Sequence, residues 1–155
     1  MTQKTAITGI LLVLFLSACS GFASVLPEQE SEIPTGEAPT WPQGQIADAQ
    51  GPVTILVTPL ALSTESETLD FEISLDTHSV DLTMDLTALA SLSTDTGLTI
   101  DASTWDGLTG GHHISGILSF PARIGGQRLL DGVHRITLTI QDIDGADRAF
   151  TWSNE

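Results

Sequence analysis

The sequence predicts an all-β protein: an immunoglobulin-like antiparallel β-sandwich of seven or eight strands, preceded by a signal peptide and a disordered tether. Three observations predict it. Apolar residues recur with period two over most of residues 52–155, the spacing of strands with one buried face. Asp-Gly and Gly-Gly pairs fall between the apolar runs, and such pairs supply the positive φ of tight hairpin turns. The segment spans about 104 residues, a normal size for one domain. Two packed sheets are the arrangement that buries one face of every strand.

The elements follow in order. Val53, Ile55 and Val57 alternate with Thr54, Leu56 and Thr58. Leu69, Phe71, Ile73 and Leu75 alternate with Asp70, Glu72, Ser74 and Asp76. Val80, Leu82, Met84 and Leu86 alternate with Asp81, Thr83, Asp85 and Thr87. Leu98 with Ile100, then Ile114 with Leu118 and Phe120, mark two more strands. Ile136, Leu138 and Ile140 mark another, and Phe150 with Trp152 the last. Turns are expected at Asp95-Thr96-Gly97, Asp106-Gly107, Gly110-Gly111, Gly125-Gly126, Asp131-Gly132 and Asp144-Gly145. Only residues 85–92 fit a helical turn, with Asp85 or Thr87 as its cap.

The pattern breaks in one place. Apolar residues hold odd positions up to Leu75 and even positions from Val80. A strand changes face only at a bulge or a turn, so the break lies at Asp76-Thr77-His78-Ser79. A second irregular segment, Thr109-Gly110-Gly111-His112-His113, precedes the Ile114 strand. These two segments hold three of the four histidines; His134 is the fourth.

Residues 19–51 have the composition of a linker. They contain Pro27, Pro34, Pro39 and Pro42, four glutamates and little apolar periodicity. Such a segment buries too little surface to offset its ordering entropy. Trp41 is its one large apolar residue; it either docks on the domain or stays free. The formal net charge of the chain is −15. From Cys19 onward four arginines face twenty acidic residues. That balance excludes a nucleic-acid footprint and electrostatic docking on anionic lipid.

Residues 1–18 have the form of an export signal. Lys4 is followed by an apolar run over residues 6–16, too short for a spanning helix of about 20 residues. Leu16-Ser17-Ala18-Cys19 then resembles the lipobox of bacterial lipoproteins. That resemblance implies a lipid on the Cys19 sulfur and cleavage just before it. The membrane partner would be engaged through this lipid. Attachment would be to the outer membrane or the outer face of the cytoplasmic membrane, with two or more acyl chains making it stable. Cys19 is the only cysteine, so the fold has no disulfide to draw on.

Leu75-Asp76-Thr77-His78-Ser79-Val80-Asp81-Leu82, with Asp85-Leu86, Leu89-Ala90, Trp105 and Gly110-Gly111-His112-His113, resembles a family of small exported bacterial domains. It covers about residues 52–152. It implies one sandwich domain and a meaningful grouping of His78, His112 and His113. It carries no activity and no ligand.

Imidazole suits Cu and Zn, and three converging ligands are the usual requirement. His78, His112 and His113 with Asp76 and Asp81 form the candidate metal set. His112 and His113 are neighbours and would share an ion only if the Gly-Gly turn distorts the backbone. The competing reading is structural: His112 and His134 bond carbonyls at strand ends, and His78 supports the bulge. Met84 shares the parity of the core and is assigned to packing. The acidic run Asp142–Asp147 lacks the spacing and terminal glutamate of an EF-hand and fits an Asp-Gly hairpin. There is no Gly-x-Ser-x-Gly elbow and no phosphate-binding glycine motif. After Cys19 there is no second thiol and no lysine. The sequence therefore favours a non-catalytic, membrane-anchored module of the cell envelope that binds a protein or glycan. A Cu- or Zn-binding lipoprotein is the alternative, and an enzyme ranks last.

Overall fold

The computed structural model describes residues 40–154. The signal sequence and Cys19 lie outside the described residues. The chain is all-β with antiparallel sheets. Its strands are β1 (Ile46–Asp48), β2 (Val53–Ala61) and β3 (Thr68–Thr77), then β4 (Ala90–Thr94), β5 (Thr99–Asp101) and β6 (Thr104–Trp105). They continue with β7 (His113–Pro121), β8 (Arg123–Ile124), β9 (Gln127–Arg128), β10 (Arg135–Ile143) and β11 (Ala146–Ser153). The one helical turn among them is α1 (Leu86–Leu89). None of the described helices is long and apolar enough to cross a membrane.

A five-stranded sheet has the order β1-β2-β3-β7-β6, and a four-stranded sheet the order β11-β10-β4-β5. A small β8-β9 ribbon stands apart. The alternation in the sequence maps onto the pleat. Val53, Ile55 and Val57 on β2, Leu69, Phe71, Ile73 and Leu75 on β3, and Leu118 and Phe120 on β7 are fully buried. So are Ile136, Leu138 and Ile140 on β10 and Phe150 on β11. These residues of both sheets belong to one apolar core. Phe71 meets Phe120 edge-on at 5.8 Å and Trp152 of the other sheet at 5.4 Å, separations at which aromatic pairs attract beyond their area.

Turn chemistry sets the hairpins. Gly125 and Gly126 take φ of 58° and 87° between β8 and β9. Asp144 and Gly145 take 52° and 76° between β10 and β11. Two successive positive φ angles match the strand twist of a two-residue hairpin. The acidic run Asp142–Asp147 is thus a hairpin. Its bulge falls between Ile140 and Ile143, where Asp142 N–H donates to Asp147 Oδ1 at 3.0 Å. Asp85 caps α1 by accepting from Thr87 N at 3.0 Å.

Two expectations are corrected. Residues 80–86 were expected as a strand, yet they form no strand and lead into α1. Of this stretch only Leu82 bonds its backbone across to the Gly-Gly loop, donating to the Gly111 carbonyl and accepting from Gly110 N–H. Leu82 and Leu86 are still fully buried, because alternate burial against a core needs no ladder. The linker was expected to run to residue 51, but residues 40–51 belong to the fold. β1 pairs with β2 from Ile46↔Val57 to Asp48↔Ile55, and Trp41 is 4 % exposed within the core. The buried indole, the β1–β2 ladder and the bond from Trp152 to the Gly44 carbonyl together oppose the ordering cost of this proline-bearing segment.

The register defines two ends. Val53 pairs with Thr77 and Asp76 with His113 at one end, while Thr68 pairs with Pro121 at the other. Trp152 Nε1 donates to the Gly44 carbonyl at 3.0 Å. Thr40, Trp41 and Pro42 line a surface hollow with Ser153. The described chain therefore begins at the end of the domain opposite Asp76 and His113.

Candidate functional site

The end of β3 is fixed by Thr77. Its side chain turns inward and is buried. Thr77 N–H donates to the His112 carbonyl at 2.9 Å. Its Oγ1 accepts from Ser79 N and Val80 N, each at 3.3 Å. This hydroxyl stops the ladder and turns the chain, which is the physical origin of the parity break. His78, at the bend, is exposed.

Asp76 and His113 are direct partners across β3 and β7. His113 Nδ1 lies 2.6 Å from Asp76 Oδ1. An ionised carboxylate only accepts, so Nδ1 carries the proton and Nε2 is left free in the neutral ring. The side chains are 65 % and 46 % exposed, so the pair adds about 1 kcal/mol or less to stability. Its importance is orientation: the carboxylate sets the tautomer and the plane of the imidazole. The His78 ring stands edge-on to the His113 ring, centre to centre 6.1 Å. Ser74 and Ser115, also direct partners, join Asp76, His113 and Ile114 around a shallow depression of about 170 Å³.

Of the five candidate metal residues, three come together: Asp76, His113 and His78. Asp81 serves the backbone instead, its Oδ1 accepting from Gly111 N at 2.8 Å. That bond, with Leu82 N–H donating to the Gly111 carbonyl at 3.0 Å, holds the Gly-Gly loop beside β3. His112 is exposed and contributes its carbonyl to Thr77. His134 lies at the other end, where its Nδ1 is 3.2 Å from Asn154 Oδ1. It bonds a side-chain amide there, where a backbone carbonyl was expected. Among the described residues no group of three or more His, Cys, Asp or Glu could hold a metal ion as it stands.

Thr77, Ser74 and Ser115 were missed from the sequence. Ser74 could have been placed on the outer face by its parity. Its pairing with Ser115 depends on the register of β3 against β7, which no local signal encodes. No family model, no curated protein and no solved structure matches this chain.

Proposed function

We propose that this protein is a lipid-anchored, non-catalytic binding module of the cell envelope. Its folded part reads as an immunoglobulin-like β-sandwich, supported by two antiparallel sheets that share one core. Cys19 in the Leu16-Ser17-Ala18-Cys19 lipobox is the anchor, and the acidic, proline-bearing residues up to 39 are the tether. One observation carries the module reading beyond the lipobox. The chain enters the domain beside Ser153, at the end opposite the Asp76–His113 pair. Attachment at that end leaves the histidine end unobstructed by the tether, where an envelope protein or glycan can reach it.

The first test is metabolic labelling with a fatty acid. The native chain takes the label and sediments with membranes, and Cys19→Ser does neither. A Cys19→Ser variant that still sediments with membranes overturns the anchor. For the module, a photo-crosslinker at position 78 is expected to capture an envelope component, and one at position 134 is not. Reproducible turnover that disappears in His78→Ala overturns the non-catalytic reading.

A further inference from the structure

Two imidazoles, His78 and His113, stand side by side at the β3–β7 end. We propose that His78 and His113 together bind one divalent transition ion of the zinc, copper or nickel class, with Asp76 as a positioning residue. The proposal does not rest on lipid anchoring or on a protein partner.

Three features carry it. His113 Nδ1 is engaged by Asp76 at 2.6 Å, which leaves Nε2 as the ring nitrogen available to a ligand. Histidine ligands to metals nearly always hold their second nitrogen in such a bond to a carboxylate or carbonyl. His78 stands beside it with ring centres 6.1 Å apart. Two imidazoles sharing a tetrahedral ion at about 2.0–2.1 Å per bond have ring centres about 5 Å apart. His78 is exposed on the bend after β3, so a shift of roughly an ångström displaces no packed neighbour. The third feature is electrostatic. Between residues 40 and 154 fifteen acidic side chains face four arginines, and this excess of negative charge raises the local concentration of cations around the domain.

The chemistry selects the ion. Imidazole nitrogens favour zinc, copper and nickel over calcium and magnesium, which take oxygen ligands. Two protein ligands leave the other coordination positions to water or to a donor from another molecule. The site is thus suited to exchange of the ion and not to permanent structural binding. Asp76 is assigned a different part from that expected on sequence, since its Oδ1 holds His113 and is not free for the metal. His112 and Asp81 are left out.

The test is calorimetric titration of the full chain with Zn(II) alone. One site with a dissociation constant in the micromolar range is expected. His78→Ala and His113→Ala should each weaken binding at least tenfold. Asp76→Asn should weaken it about 10- to 100-fold, the usual effect of losing an outer-shell partner. His112→Ala and His134→Ala should leave it unchanged. Nitrogen-15 spectra of the histidine rings should show zinc shifting His113 Nε2 more than Nδ1. Binding weaker than about millimolar, or binding that survives His78→Ala undiminished, overturns the proposal. So does an equal loss on His112→Ala. Thermal melts of the metal-free variants separate loss of the site from loss of the fold.

Discussion

Arg148 on β11 and Asp48 on β1 join the two sheets at one end of the core, with Nε 3.6 Å from Oδ1. Arg148 is 1 % exposed and is among the largest fully buried side chains of the described residues. Its Nη2 donates to the Gln50 carbonyl, while Nε and Nη1 have no hydrogen-bond partner among those residues. A guanidinium buried to this degree is tolerable only with its counter-charge present. Asp48→Ala should therefore cost about 3 kcal/mol or more, because it strands a buried cation. Arg148→Met keeps much of the apolar stem and should cost clearly less. Urea unfolding of both variants checks the order. Equal losses would mean that packing alone accounts for Arg148.

The same pair makes the fold sensitive to acid. Burial raises the Asp48 carboxyl pKa, but the Gln50 N–H, the Gln50 amide and the Arg148 guanidinium outweigh burial and hold it below the usual 3.8. A carboxyl with a lowered folded pKa stabilises the protein above its unfolded pKa, and that contribution fades as pH falls through the folded one. Stability should be flat from neutrality to about pH 5 on this account and should drop below about pH 4. Asp48→Asn should flatten part of that drop. An unchanged acid limb in Asp48→Asn would assign the drop to other carboxylates.

Trp41 and β1 place the start of the folded part near residue 40. Trp41→Ala should cost about 3 kcal/mol, the range for emptying a buried aromatic site. A chain beginning at residue 52 loses Trp41, β1, Asp48 and the Gly44 carbonyl bonded by Trp152. It should melt well below a chain beginning at residue 40. Equal melting temperatures would return residues 40–51 to the tether.

Gly116 is a site of close approach. A Cβ there would stand 2.4 Å from Gly107 N and 2.5 Å from Gly107 Cα. Both are backbone atoms. Asp106 binds the adjacent Ile117 N–H through Oδ1, so the crossing segment cannot retreat freely. Gly116→Ala should cost about 1–3 kcal/mol by overpacking. A melt indistinguishable from the native protein would mean that the Asp106-Gly107 segment yields.

By itself the sequence determined the all-β class, the inward rows and most turns. Period-two burial, Asp-Gly and Gly-Gly pairs, and the Asp85 cap are local signals, each set within a few residues by sterics and backbone hydrogen bonding. The alternation misled only at residues 80–86, where core-facing residues kept the pattern without a strand partner. What pairs with what belonged to the tertiary structure. Asp76 meets His113 across 37 residues of chain, and Arg148 meets Gln50 across 98. The tertiary structure also decided that His134 lies apart from His78 and His113, and that Trp41 closes the core. Register and sheet packing are long-range choices, made by the joint burial of many side chains. No window of the sequence contains them.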